Sequence, residues 1–370
     1  MRCLMNVPYV DLAEQHAPIK EKLLEAVGKV LDHGKFVLGD EVAEFEKRFA
    51  ELCGVRYAVG LNSGTDALIL ALRALGVGPG DEVITVANSF VSSVSCIICV
   101  GAKPVFVDVR DDYLINPDLI EKAITPKTKA LLPVHLTGRP VNMDEVMAIA
   151  QKNKLAVIED CAQAVTAEYR GRKVGSFGDT GCFSLHPLKT LNACGDGGVL
   201  TVNNKSLYEK ILTMRDNGLQ RHRCLVWSPN SRLDTLQAAM LLVKLDYLEK
   251  WTQERREIAR LYREHLKGIP EIQLPVAEQN TRAVYHTFVI QAERRDELQT
   301  FLAEQGIGTK IHYKPPIHLQ PAALDLGYGK GSLPVTERQA QKILSLPVSG
   351  QVTHDMLEYV VNKIREFYQK

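Results

Sequence analysis

Residues 57–86 read YAVGLNSGTDALILALRALGVGPGDEVITV, and their pattern decides the fold class. Two short runs of β-branched and apolar residues flank a segment in which leucines recur at helical spacing. The same alternation continues to about Asn203. The predicted strands are YAVGL, DEVITV, KPVFVDV, ALLPVH, LAVIED and CFSLH, and the predicted helices are DALILALRALG, NPDLIEKAI and MDEVMAIAQKN. This order predicts an α/β domain with a mainly parallel sheet, which binds ligands at the carboxyl ends of its strands.

A second, smaller unit is predicted after this domain. A long helical stretch runs from Asp234 to Lys267 and ends at Gly268. An α+β segment follows, with strand-like YHTFVI, the helix RDELQTFLAEQ, the run TKIHY and a C-terminal helix. We place the boundary near Glu249, which gives a large domain of residues 1–249 and a small domain of residues 250–370.

Composition narrows the class of protein. The 370 residues include 45 lysines and arginines against 44 acidic residues, so there is no basic excess to attract nucleic acid or a membrane surface. The start of the chain lacks the apolar core of a secretory signal. The longest apolar run, Val91–Ala102, is far shorter than the roughly 20 residues of a membrane span. We expect a soluble cytoplasmic protein without nucleic-acid or membrane partners.

Eight cysteines are too sparse for a disulfide scaffold, and we expect all of them to be reduced. Cys96 and Cys99 form a C-x-x-C, but no second pair of ligands stands at metal-site spacing. Two buried, apolar cysteines explain this motif better, and no metal site is predicted.

A turn after the first strand has the features of a phosphate site. Ser63-Gly64-Thr65 directly precedes a helix, so backbone N–H groups and the positive end of the helix dipole face an incoming anion. Gly64 lets the backbone approach closely. A capped turn without a ligand explains this motif equally well when it is considered alone.

Two further residues suggest a cofactor. Asp160 ends the strand LAVIED, and Lys189 follows the strand CFSLH. Pyridoxal 5′-phosphate (PLP) requires a lysine for a Schiff base, an anion beside its pyridine nitrogen and a phosphate cradle. Individually, the aspartate is explained as a cap and the lysine as a solvated side chain. Together with the phosphate turn, and without a G-x-G-x-x-G or G-x-x-x-x-G-K motif, they predict PLP.

These stretches resemble the DegT/StrS-type sugar aminotransferases, which have the fold-type I PLP architecture. The resemblance extends over nearly the whole chain. The stretches that carry it are GKFVLGDEVAEFE, NSGTDALILAL, GAKPVFVDV, PVHLTGRP, VIEDCAQA, GSFGDTGCFSLHPLK, GDGG, NSRLDTLQAA and GIGTKIHYKPPIHLQPA.

The resemblance implies a role for each matching residue. Lys189 would hold the cofactor as a Schiff base and move the proton, and Asp160 would pair with the pyridine nitrogen. Gln163 would reach the ring hydroxyl, and Phe90 would stack on the ring. The phosphate would be held by Gly64, Thr65 and Ser184.

Further residues are implied near the mouth of the site. Asn230 would come from the partner subunit to the phosphate, so the active site would belong to a homodimer. Arg232 and His318 would lie near the substrate. The chain departs from the family pattern at Thr137, Val165 and Ser228-Pro229, positions that bear on the choice of sugar.

The predicted function is therefore transfer of an amino group from an amino acid, expected to be glutamate, to a nucleotide-linked keto sugar. By the same resemblance, the GDGG sequence is similar to that of relatives acting on 3-keto rather than 4-keto deoxysugars, since the latter more often have GEGG. The alternatives are a PLP-dependent sugar dehydratase, which Lys189 disfavours because such relatives carry histidine there, and a non-catalytic PLP-binding regulator. A dinucleotide oxidoreductase lacks its fingerprint.

Overall fold

The computed structural model describes residues 5–275 and 280–369. The helices are α1 (Leu12–His16), α2 (Lys20–His33), α3 (Asp40–Cys53), α4 (Gly64–Ala74), α5 (Ser92–Cys99), α6 (Pro117–Ala123), α7 (Met143–Asn153), α8 (Lys205–Arg215), α9 (Thr235–Leu245), α10 (Leu248–His265), α11 (Arg295–Glu304), α12 (Pro334–Lys342) and α13 (His354–Gln369). The strands are β1 (Tyr57–Leu61), β2 (Glu82–Thr85), β3 (Lys103–Phe106), β4 (Thr128–Leu131), β5 (Ala156–Asp160), β6 (Glu168–Tyr169), β7 (Arg172–Lys173), β8 (Thr180–Ser184), β9 (Gly198–Val202), β10 (Leu219–Gln220), β11 (Arg223–Cys224), β12 (Ile272–Gln273), β13 (Thr281–Arg282), β14 (Phe288–Ala292) and β15 (Ile343–Leu346).

A seven-stranded mixed sheet forms the centre of the fold, with the strand order β1-β9-β8-β5-β4-β2-β3. β9 pairs antiparallel with both of its neighbours, and the pairs from β8 to β3 are parallel. Six strands therefore have their carboxyl ends at the same edge of the sheet. The predicted α/β fold class is confirmed, whereas the sequence analysis missed the reversed strand β9.

Helix α4 shows how the sequence produces this arrangement. Its apolar residues recur on more than one face, and Ala67, Leu68, Leu70, Ala71 and Leu72 are all buried. They pack in one core with β1, β2, β4 and β5. Burial of this wide apolar surface holds the first turn of α4 at the edge of the sheet where the strands end.

A second core forms from the later part of the chain. The three-stranded sheet β12-β14-β15 packs with α10, α11 and α13, and Val7 joins this core through a bridge to Ile307. The run TKIHY forms no strand. It contributes only an isolated β-bridge, which pairs Lys310 with Ser345. The division at residue 249 stays a prediction.

The predicted helical stretch from Asp234 to Lys267 is interrupted. α9 ends at Leu245 and α10 begins at Leu248. α9 packs Ala238 and Leu241 into a core under the sheet, whereas α10 packs Ile258, Ala259 and Tyr262 into the second core. The break at Asp246–Tyr247 separates α9, which packs under the sheet, from the part of α10 that packs in the second core.

A buried polar pair fastens β5 to its surroundings. His135 accepts a hydrogen bond at Nδ1 from the Val141 backbone N–H, so its Nε2 donates to Glu159 at 3.1 Å. Glu159 also accepts three backbone N–H bonds from residues 175, 177 and 178. The carboxylate is thereby satisfied although it is fully buried, and His135 has a structural role in this pair.

Cys96 and Cys99 lie on α5, a helix that the sequence analysis did not predict. Cys96 is buried and Cys99 is exposed, so the expectation that both are buried is wrong for Cys99. The described helices include none whose length and apolar character would let it cross a membrane.

Candidate active site

A cavity of about 420 Å³ opens at the carboxyl ends of β1, β5 and β8. Seven of the residues predicted from the sequence to hold a cofactor line it: Gly64, Thr65, Phe90, Asp160, Gln163, Ser184 and Lys189. A larger cavity of about 930 Å³ lies along α10, but neither Asp160 nor Lys189 borders it. The smaller cavity is therefore the one that contains the predicted cofactor-binding residues.

The phosphate turn lies tightly against the end of β8. Ser63 caps α4 by accepting a hydrogen bond from the Asp66 N–H at 3.1 Å. A Cβ atom on Gly64 would stand 2.7 Å from Ser184 Cβ, so no larger residue fits there. The hydroxyls of Thr65 and Ser92 lie 2.8 Å apart beside this turn. Backbone N–H groups, small hydroxyl side chains and the helix dipole here suit a phosphate dianion.

Asp160 is held rigidly at the floor of the cavity. It ends β5 and is 4% exposed. Its two carboxylate oxygens accept hydrogen bonds from Ser93 Oγ at 2.7 Å and from the Ala162 N–H at 3.1 Å. Ser89 contacts Ser93 at 2.8 Å and extends the chain of hydroxyls. These bonds fix the direction in which the carboxylate faces the cavity.

Lys189 lies on the loop that connects β8 to β9. Its backbone N–H donates to the His186 carbonyl at 2.8 Å, and its own carbonyl accepts from Asn192 Nδ2 at 3.1 Å. Burial lowers the pKa of the Lys189 amine to about 8, and the Asp160 carboxylate opposes this shift. About a tenth of the amine is therefore neutral at pH 7, roughly several hundred times the neutral fraction of an ordinary lysine, and the neutral form is the one that attacks a carbonyl carbon.

The opposite wall comes from a distant part of the chain. Gln163 accepts at Oε1 from the Thr137 N–H at 2.7 Å and donates from Nε2 to the Tyr313 hydroxyl at 3.1 Å. The Phe90 ring is 53% exposed, and its centroid lies 5.9 Å from that of Tyr313. A flat ring entering from the cavity mouth would meet this aromatic surface.

The sequence analysis did not predict several of the residues that line the cavity. Tyr9, Arg255, His286, His312 and Tyr313 all border the cavity. The sequence carried one signal for them, because Arg255 interrupts the apolar positions of the amphipathic helix α10. His312 and Tyr313 belong to the stretch GIGTKIHYKPPIHLQPA, which carries the family resemblance, but neither residue was predicted to have a role in the site.

Three predicted residues do not reach this cavity. Asn230 is exposed, and its backbone forms an isolated β-bridge with Asp216. The Asp216 carboxylate forms an ion pair with Arg232. His318 is buried in a short 3₁₀ helix and hydrogen-bonds Glu337 at 3.1 Å. Arg232 and His318 do not line this cavity, since their side chains bond to Asp216 and Glu337, and their position near the substrate stays a prediction.

These groups fit PLP. The turn that excludes a Cβ at Gly64 offers a phosphate cradle, and a buried carboxylate and a lysine with a lowered pKa share the same cavity. The fold and this combination of side chains define a PLP-binding enzyme of the α/β class.

Comparison with known proteins identifies the family. A sequence model of the DegT/DnrJ/EryC1/StrS aminotransferase family matches residues 17–365, and the chain belongs to this family. It is 42% identical over 369 residues to a pleiotropic regulatory protein of Geobacillus stearothermophilus, covering 99% of each chain. It is 43% identical over 361 residues to the UDP-N-acetyl-3-dehydro-alpha-D-glucosamine 3-aminotransferase of Acidithiobacillus ferrooxidans, covering 97% of each.

Solved structures agree with this assignment. DesV of S. venezuelae, in complex with a ketimine intermediate, superimposes with a TM-score of 0.97 at 41% identity and 99% coverage of both chains. NtdA of Bacillus subtilis, with bound cofactor PMP, superimposes with a TM-score of 0.93 at 31% identity, covering 100% of this chain and 86% of that one. The protein is an aminotransferase, and PLP is its cofactor.

Proposed function

We propose that the protein transfers an amino group from glutamate to a nucleotide-linked keto sugar, at the 3-keto rather than the 4-keto position. The observation that carries the proposal is the shared cavity of a buried carboxylate, Asp160, and an amine of lowered pKa, Lys189. The relative from Acidithiobacillus, whose name specifies a 3-aminotransferase acting on a UDP-linked sugar, supports the acceptor class. The GDGG sequence at residues 195–198 agrees with the 3-keto position.

PLP supplies an electron sink conjugated to the carbon that exchanges its amino group. Lys189 would hold the cofactor when substrate is absent and, once released, would move a proton at the substrate carbon that bears nitrogen. Asp160 would place a fixed negative charge beside the ring nitrogen and keep that nitrogen protonated. Its bonds to Ser93 and the Ala162 N–H hold the carboxylate in that orientation.

The remaining lining residues position the cofactor. Gly64, Thr65 and Ser184 would hold the phosphate at the start of α4, where the helix dipole favours negative charge. Phe90 would cover a face of the ring, and Gln163 would reach the ring hydroxyl. Gln163 is itself oriented by Thr137 and Tyr313, which limits its rotation.

The experiment that tests the reaction is direct. Purified protein is incubated with glutamate and a panel of nucleotide-linked 3-keto and 4-keto sugars, and each product is identified by mass and by the position of the new nitrogen. A 3-amino sugar together with 2-oxoglutarate supports the proposal. A deoxy sugar without nitrogen would indicate a dehydratase. A bound cofactor that accepts no amino group from any donor would indicate a regulator, as the name of the Geobacillus relative suggests for that protein.

We also propose that the protein acts as a homodimer in which Asn230 reaches the partner's phosphate site. Large apolar side chains are exposed near the cavity mouth and on the Asn230 loop, including Phe90, Val91, Leu188 and Trp227, which is 85% exposed. Solvent exposure of so many apolar groups is costly, and a second copy would cover them. Asn230 itself is exposed and lies outside its own chain's cavity.

Complementation tests the shared site. Lys189→Ala and Asn230→Ala chains are each expected to have low activity alone. Co-expressed with different tags, they should form heterodimers that contain one intact site, and activity should recover to about a quarter of the parent level under random pairing. Purification through both tags, which selects the heterodimers, should raise this fraction. A mixture no more active than its two components would contradict the proposed role of Asn230.

The pKa of Lys189 predicts how cofactor attachment depends on pH. A lysine whose pKa is lowered to about 8 is protonated below that pH and neutral above it. The rate at which apoenzyme takes up PLP, followed by its visible absorbance, should rise about tenfold from pH 7 to pH 9 and then level off. Nα-acetyl-lysine, the control amine, should show a rise of about a hundredfold over that interval. Parallel curves for protein and control would contradict the lowered pKa.

A further inference from the structure

One arginine lies within the buried stripe of α10. The side chains that face inward along this helix are Trp251, Thr252, Arg255, Ile258, Ala259 and Tyr262. Arg255 is 5% exposed. Its position, one turn from Trp251 and one turn from Ala259, would be apolar in an ordinary amphipathic helix. A guanidinium at this position is energetically unfavourable unless something compensates its charge.

Within residues 5–275 and 280–369, the structure gives the Arg255 guanidinium neither a hydrogen bond nor an ion pair. Other buried arginines are engaged: Arg215 pairs with Glu46, and Arg295 donates to the Ile343 carbonyl at 2.8 Å. Arg255 instead borders the active-site cavity. Burial lowers its pKa only to about 10, so the guanidinium remains charged at neutral pH.

In the described part of the chain, no carboxylate around Arg255 forms an ion pair with it. Burial lowers the pKa of His286 far below its usual value and that of His312 to about 4, so both imidazoles are neutral at pH 7. Burial raises the pKa of the Tyr9 phenol, which is also neutral. Glu254, the adjacent residue, lies within electrostatic range of Arg255 but makes no ion pair with it. This wall therefore presents a permanent cation and neutral hydrogen-bonding groups.

We propose that Arg255 binds a carboxylate of the amino-acid donor, an inference that rests on the proposed aminotransferase function. A guanidinium binds a carboxylate through two parallel hydrogen bonds, which suits a ligand that must enter and leave. The donor bears its α-carboxylate on the carbon that loses nitrogen, so this group must lie deep in the cavity with Lys189. The diphosphate of a nucleotide sugar is several bonds away from the reacting carbon and would lie toward the mouth.

The test uses glutarate, a dicarboxylate without an amino group, as a non-reacting probe. Its affinity for the PLP-loaded protein is measured by calorimetry for the parent, Arg255→Gln, Arg255→Lys and Arg260→Gln. We expect binding to weaken about tenfold to a hundredfold in Arg255→Gln, as loss of a charge-assisted hydrogen-bond pair predicts, and to recover in part in Arg255→Lys. Arg260 lies on the exposed side of α10 and pairs with Glu257 and Glu264, so Arg260→Gln should bind like the parent.

A second measurement separates the donor from the acceptor. The first half-reaction is followed by loss of the cofactor's visible absorbance with L-glutamate and with propylamine, which has no carboxylate. Arg255→Gln should require a higher glutamate concentration for the same rate but react with propylamine as the parent does. The ratio of the glutamate rate to the propylamine rate is measured within each variant, so it does not depend on the variant's overall stability. UDP and dTDP affinities should be unchanged.

Two results would overturn the assignment: unchanged affinity for both glutarate and glutamate in Arg255→Gln, or a loss of nucleotide affinity as large as the loss of glutarate affinity. Neither measurement requires an amino-sugar product. Failure of this inference and failure of the proposed acceptor are therefore distinguishable.

Discussion

Replacing Lys189 with alanine should lower the rate of amino transfer by about a hundredfold to ten-thousandfold. The substitution removes the amine that moves the proton at the substrate carbon, and positioned acid–base groups contribute about 10²–10⁴ to such rates. The protein should still bind PLP through the turn at Gly64 and the Asp160 carboxylate, but more weakly. The visible absorbance that marks covalent attachment should be absent, and glutamate should not change the spectrum.

A matched lysine substitution separates this effect from a general loss of charge. Lys205 is exposed at the start of α8, where it lies 3.9 Å from Glu209. Lys205→Ala should retain the parent spectrum and the parent rate, because exposed ion pairs contribute little to stability. If Lys189→Ala turned over normally, the assignment of Lys189 would be wrong.

Asp160→Asn should lower the catalytic rate by about 10²–10³, the effect of removing one preorganised electrostatic group. Asparagine keeps an acceptor oxygen for the Ala162 N–H, and the Ser93 hydroxyl can rotate to accept from the new amide. The fold should therefore persist, while the charge beside the ring nitrogen is lost. Stopped-flow measurement of the glutamate half-reaction should show a lower limiting rate with a smaller change in apparent glutamate affinity.

The control for this substitution is Asp246→Asn. Asp246 caps the end of α9 and pairs with Arg48 on the surface, away from the cavity. Its replacement should leave the limiting rate unchanged. A higher KM with an unaltered limiting rate in Asp160→Asn would argue that the carboxylate only helps to bind substrate.

Much of the fold was predictable because local pattern and burial agree. β1 and α7 have the predicted bounds, and the leucines of α4 are buried as their spacing indicates. β9 was missed because it follows a glycine-rich loop, and its direction depends on pairing with β1 and β8. The break between α9 and α10 follows from two cores that helical periodicity alone does not distinguish.

The candidate site divides in the same way. Asp160 and Ser184 end strands, and Gly64 starts a helix, so their convergence at one edge follows from the sheet. His286, His312 and Arg255 reach the cavity only because the second core packs against the first, which is non-local information. From the sequence, Arg255 is recognisable as a charged residue among apolar helix positions. That its side chain borders a cavity is visible only in the structure.

The pairing of β8 with β9 has a further consequence for motion. Ser184 is in register with Gly198, and the Leu185 N–H bonds to the Gly197 carbonyl, so both ends of the Lys189 loop are anchored to the same ladder. Bonds within the loop also hold the backbone at Lys189, where the N–H donates to the His186 carbonyl and the carbonyl accepts from Asn192 Nδ2. The amine must travel between cofactor and substrate by rotation about its own side-chain bonds, on the fast timescale of rotamer changes rather than that of loop opening. Increasing solvent viscosity should therefore slow substrate entry and product release without slowing the proton transfer itself.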